Sequence, residues 1–253
     1  MIGIVGGIGP LAGADLYKQI LENTDARTDQ EHVPVMLASV SHEIADRTRF
    51  LLKKDVENPA HAIVKVVTLL EQAGATTIGL ACNTAHAPEI LNVVNEALQS
   101  RASNALIVNM IDETLHAIQS HPIDIQQIGV LCTSGSYQTG LYQYKLKSVG
   151  FKPIMLSFER HDALVHDAIS NPNHGLKSLA APSQQSLDQL NTAIVELKNL
   201  GAQAVVLGCT EIGMVEKHLA KEMLFFNPNT ILARALLQRA YPEKIKPLPL
   251  PCT

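Results

Sequence analysis

A chain of 253 residues, 46% hydrophobic and only 17% charged, has enough apolar material for one large or two small cores and needs no disulfide staples to fold. Its net charge of -4, with 20 lysines and arginines spread along the chain, offers no electrostatic footprint for nucleic acid. The opening MIGIVGGIGP lacks the basic region and long apolar run of a signal peptide, and no segment reaches the ~18 apolar residues of a membrane span, so the sequence reads as cytoplasmic with no membrane partner.

Short β-branched runs at 2–5, 33–40, 76–81, 105–108, 128–132, 153–157 and 203–207 alternate with longer amphipathic stretches. That alternation predicts an α/β fold with mainly parallel sheets. The stretch ENPAHAIVKVVTLLEQAG shows the local logic. Asn58 can cap, Pro59 suits a first turn, Gly74 can take the left-handed closing position, and Ile63, Val66, Val67 and Leu70 share one face. The segment NPNTILARALLQRA at 227–240 predicts a last helix able to return to the first half, and the Pro-rich end YPEKIKPLPLPCT reads as a surface tail.

The arrangement occurs twice. IGIV at 2–5 parallels IGVL at 128–131, an offset of 126, and GATTIGLACNT at 74–84 parallels GAQAVVLGCT at 201–210, an offset of 127. Two pseudo-symmetric α/β domains follow, with an active-site cleft between them: residues 1–107 with 224–253 returning to them, and residues 108–223, joined near 104–110.

Cys82, Cys132, Cys209 and Cys252 are widely spaced without a CxxC pair, which suits free thiols in a reducing compartment. The repeat puts Cys82 and Cys209 in equivalent places, each at the C-terminal end of a strand entering a helix, where open α/β sheets bind ligands and where a helix start lowers a thiol's pKa. Opposed across a cleft, a thiolate and a thiol can take a proton from one face of a carbon and deliver one to the other. Backbone N–H groups of the two loops, with Asn83, Thr84 and Thr210, are donors for the enolate-like charge this creates. Cys132, in IGVLCTSG, reads as buried, and Cys252 as incidental. His86 could orient a catalytic group or bond within its loop; Glu211 could tune the second thiol or stabilise a helix start. A zinc hydrolase built on Cys82, His86 and Cys209 lacks an assignable further ligand, so no metal is expected. GGIGPLAG lacks the Lys-Ser/Thr of a P-loop, and its proline interrupts a dinucleotide fingerprint.

GIVGGIGPLAGADLY, ADRTRF, ACNTAH, GLYQ and GCTEI stand in the order and approximate spacing of the aspartate/glutamate racemase family. The chain resembles that family over nearly its whole length, most closely its aspartate racemase and broad-specificity amino-acid racemase branch. The resemblance implies a cofactor-independent, PLP-independent two-base racemase that forms a homodimer and takes an amino-acid substrate, with Cys82 and Cys209 as the bases. It assigns Gly9, Pro10, Asn83, Thr84 and Thr210 to substrate-contacting segments and Arg47 to a substrate carboxylate, with a solvated charge cluster as the alternative for Arg47. Two departures bear on the substrate. The family's lysine, shortly before a glycine, meets DAISNPNHG here, with Asn173 or His174 near that place and Lys177 beyond the glycine; SHEIADRT brings Glu43 near the carboxylate site. Aspartate is therefore not expected to be uniquely preferred. Hydantoin racemase, isomerase or decarboxylase chemistry, or ligand binding without turnover, remain the alternatives.

Overall fold

The computed structural model describes residues 1–178, 181–220 and 223–247. Its first half runs β1 (Ile2–Val5), α1 (Pro10–Asn23), β2 (Val35–Ala38), α2 (Arg47–Lys53), α3 (Ala60–Gln72), β3 (Thr77–Leu80), α4 (Pro88–Ser100) and β4 (Leu106–Val108). The second half runs α5 (Met110–Gln119), β5 (Gln127–Cys132), α6 (Ser134–Gln138), α7 (Leu141–Ser148), β6 (Lys152–Ile154), α8 (Phe158–His161), a π-helical stretch Asp162–His166 and α9 (Asp167–Ser170). It continues with α10 (Gln184–Asn199), β7 (Ala204–Gly208), α11 (Thr210–Met214), β8 (Leu224–Phe226) and α12 (Pro228–Ala240).

Two four-stranded sheets result, ordered β2-β1-β3-β4 and β6-β5-β7-β8, with every pairing parallel. The repeat read from the sequence is thus a repeat of topology. In each sheet the third strand in the chain neighbours the first and ends at a cysteine. β1, β3 and β7 are buried at every residue, which is why IGIV, TIGL and AVVLG are continuous apolar runs rather than alternating ones. β6 is shorter than the run at 153–157 because Ser157 caps α8 by accepting the Arg160 amide hydrogen bond. β8, only LFF, was too short to stand out by periodicity.

α3 follows its local signals. Asn58 accepts the Ala60 N–H, Gly74 closes the helix at φ +95°, and Ile63, Val66, Val67 and Leu70 are all buried. The last helix obeys a longer-range demand. Leu232, Ala233, Leu236 and Leu237 of α12 pack with Ile2, Ile4, Leu16 and Ile20 of the first half. Ile111, Leu115 and Ile118 of α5, which opens the second half, pack with Ile128, Val130 and Val206 of the second sheet. Among the described helices only α12 crosses from the second half to the first, and each fully buried leucine it contributes there is worth about 1.5–3 kcal/mol. The chain returns to the first half with α12 rather than at 224, because β8 still pairs with β7.

One buried histidine makes the fold sensitive to acid. His161 is fully buried and donates from Nε2 to the Cys132 carbonyl at 2.8 Å. Burial lowers its pKa to about 4, against the hydrogen bond, which favours the cation. The unfolded chain protonates this group from about pH 6.5, so its contribution is intact above that pH. It is lost progressively as pH falls towards 4, where the folded state also takes up the proton. The expected loss between pH 7 and 4 from this group is on the order of 3 kcal/mol. Urea unfolding at pH 7 and pH 5, repeated with His161→Gln, checks it: the variant should show a flatter pH dependence.

Candidate active site

Cys82 follows β3 and Cys209 follows β7, both with extended backbones (φ -164° and -132°) that turn each chain out of its sheet. They line one cavity, at the carboxyl ends of the strands, together with Ile8, Gly9, Arg47, Asn83, Thr84, Thr133, Lys177, Thr210 and Glu211. Its volume is about 10 Å³, space for about one water. Larger openings adjoin it, one sharing Gly9, Arg47, Lys177 and Glu211 and another sharing Thr133 and Lys177. The hydroxyls of Thr84, Thr133 and Ser136 meet across the halves, at 3.0–3.1 Å from Thr84 Oγ1.

The two thiols face different partners. Arg47 starts α2 and is buried, with Nη2 donating to the Ile8 carbonyl at 2.6 Å and Nη1 to the Ala45 carbonyl at 3.2 Å. Its Nε is buried without a partner. Burial opposes the guanidinium charge, but Cys82, by charge and hydrogen bond, and Asp46 hold it firmly protonated. The solvated cluster is formed by Arg49 instead, which pairs with Asp55.

Cys209 faces a carboxylate. Its Sγ donates to Glu211 Oε2 at 2.9 Å, Thr210 Oγ1 donates to the same oxygen at 3.0 Å, and Lys177 Nζ lies 3.4 Å from Oε1. Burial first, and then the Glu211 charge, push the Cys209 thiol well above its ordinary pKa, with Lys177 opposing. Burial would raise Glu211 as well, but Lys177 and the Cys209 hydrogen bond keep it ionised. Burial works against the Lys177 charge, and Glu211 more than restores it. The expectation that a helix start depresses both thiols fails for Cys209. α11 has five residues, too few for its dipole to outweigh desolvation and an adjacent carboxylate. After Cys82 comes a 3-10 turn, Asn83–His86, and α4 starts only at Pro88.

Other residues singled out from the sequence divide. Gly9, Asn83, Thr84 and Thr210 reach the cavity. Pro10 starts α1 and lines an adjoining opening with Gly9, Lys177 and Glu211. His86 is buried and donates from Nδ1 to the Cys82 carbonyl at 2.9 Å, so it braces its own loop, and burial lowers its pKa. Glu43 is exposed beside His42, away from the cavity. His174 pairs with Asp167 at 3.0 Å and Asn173 is exposed. Cys132 is fully buried on β5, its thiol driven up by burial. Cys252 lies outside the described residues. Among the described residues, no group of three or more His, Cys, Asp or Glu side chains is arranged to hold a metal ion, and no helix is long and apolar enough to cross a membrane.

The profile of the Asp/Glu/hydantoin racemases matches residues 5–236, nearly the whole chain. This chain belongs to that family. Among solved structures, the racemase-family chain is similar to the Picrophilus torridus aspartate racemase, at 26% identity and TM-score 0.79, covering 97% of this chain and 95% of that one. A Pyrococcus horikoshii aspartate racemase homologue matches at 21% identity and TM-score 0.67, covering 94% and 98%. A Francisella tularensis glutamate racemase in complex with D-glutamate matches at 16% and 0.57, covering 96% and 81%. These last two establish likeness of fold.

Lys177, read from the sequence as lying beyond the place of the family lysine, lines this cavity. Lys177 reaches the cavity because the chain after α9 loops through Asn171–Gly175 and returns, with Leu176 N–H bonded to Ala168 O and Lys177 N–H to Ile169 O. Counting from the glycine misses a residue that folds back alongside the helix it has left. Thr133 was missed for a similar reason: only the meeting of the halves brings it to Thr84. Its position after β5, at a strand's carboxyl end, was the available signal.

Proposed function

We propose that the chain is a cofactor-independent racemase of a dicarboxylic amino acid, using Cys82 and Cys209 as a two-base pair. The observation that carries the reading is that two cysteines from equivalent strand ends line one cavity, one beside a guanidinium and the other hydrogen-bonded to a carboxylate. Because Cys209 donates to Glu211, the single proton shared by the pair rests on Cys209. The Cys82 thiolate takes the α-proton of one enantiomer, and the electron pair left on carbon is delocalised into the carboxylate. Cys209 then delivers its proton to the opposite face. The product is the other enantiomer, with the thiol now on Cys82 and the thiolate on Cys209, ready for the reverse direction.

Arg47 receives the α-carboxylate through the buried N–H groups its carbonyl contacts leave free. Lys177 receives the side-chain carboxylate, sharing its charge with Glu211. Asn83, Thr84 and Thr210 complete the donors around the enolate-like charge.

The test is incubation with single-enantiomer amino acids in deuterated water, without added metal or pyridoxal phosphate, following optical rotation and α-deuteration. Aspartate or glutamate should show both. In Lys177→Met, the Michaelis constant for the dicarboxylic substrate should rise roughly 10- to 100-fold, the value of one charge-assisted contact, while any neutral substrate should be little affected. Binding without α-deuteration across the whole panel would identify a ligand-binding protein instead.

A further inference from the structure

The two cysteine loops belong to different halves, so their spacing is a property of the interface. Tyr142, on α7, touches the neighbours of both. It is fully buried. Its hydroxyl hydrogen-bonds Asn83 Oδ1, on the residue after Cys82. Its ring lies against Gly208, the residue before Cys209: a Cβ built there would stand 2.9 Å from the ring carbon Cε2, and 3.0 Å from the Leu131 carbonyl oxygen. The glycine of GCTEI is therefore the space into which the ring fits.

We propose that Tyr142 is a positioning residue that sets the span between the two cysteines and the orientation of the Asn83 amide, an inference that rests on the two-cysteine reading above. The ring is rigid and spaces the loop of Cys209 from that of Cys82. The hydroxyl donates, since a buried phenol stays protonated. With Oδ1 engaged, Asn83 Nδ2 is left buried, without a partner, on a residue that lines the cavity. Such a donor is available to charge developing on the substrate. A transfer across two faces of one carbon depends on both sulfurs being in reach at once, so a small displacement of either loop costs inversion before it costs binding.

The test is Tyr142→Phe, which keeps the ring and removes the hydroxyl. Turnover should fall roughly 10- to 100-fold with little change in Michaelis constant. In deuterated water, α-deuteration with retention should rise relative to inversion, because one thiol still removes and returns the proton while the other is misplaced. Asn83→Ala should raise the same ratio, and the double variant should be no worse than the poorer single one. An unchanged exchange-to-inversion ratio in both single variants, or fully additive losses, would overturn the proposal. Failure here is separable from failure of the two-cysteine reading. If Cys82→Ser or Cys209→Ser still racemises, that reading falls; if both are inactive while Tyr142→Phe behaves as the unaltered protein, only the role of Tyr142 falls.

Discussion

Cys82→Ser and Cys209→Ser should each lose at least about 10³-fold in racemisation, within the range of an acid/base group held at the reacting atom. A serine hydroxyl fits either site but does not ionise near neutral pH, so the variant keeps its fold and lacks one of the two proton carriers. Cys132→Ala marks the difference between a thiol in the site and one merely in the protein. Cys132 packs with Ile128, Val130 and Leu146 and does not line the cavity. Its removal should cost some stability and leave turnover within about twofold of the unaltered protein, as for a packing change away from the chemistry. Polarimetry with circular dichroism on the three variants decides the matter. Racemisation above a tenth of the unaltered rate in either serine variant would refute the two-base assignment.

Glu211→Gln should change the pH dependence as much as the rate. The Glu211 charge, after burial, is what holds the Cys209 thiol well above its ordinary range, and Lys177 opposes it. Replacing the carboxylate by an amide removes the raising charge and leaves Lys177 without its partner. Both changes lower the Cys209 pKa. The working form needs one proton shared by the two sulfurs, so the basic limb of the profile moves to lower pH. Near pH 8 the variant should lose at least about tenfold in rate and recover part of it on acidification, in keeping with general acid–base catalysis. A pH–rate profile in both directions checks it. A uniform loss at every pH, with the limbs unmoved, would show that Glu211 acts only through packing.

Much of the scaffold was legible because it depends on short-range order. The runs that include IGIV, TIGL and AVVLG read as strands from their length, their β-branched content and their alternation with helical stretches, and the Asn58–Gly74 signals bounded α3 as the backbone does. The Gly and Cys spacing placed Cys82 and Cys209 in equivalent positions, and the topology agrees. Pro10 and Glu43 were less well placed, since neither lines the cysteine cavity. Each was assigned by its neighbours in the chain, whereas side-chain direction follows from the turn that carries it.

By itself the sequence determined where seven of the eight described strands lie, where the chain repeats, and that a cysteine stands just after two equivalent strands. These follow from hydrophobic period, turn chemistry and spacing, all of which act over a few residues. The tertiary structure alone decided that Lys177 folds back to Glu211, that the Cys209 sulfur meets the Glu211 carboxylate, and that Tyr142 fills the space left by Gly208. Each of these joins residues distant in the chain, or depends on burial and charge that exist only once the halves meet.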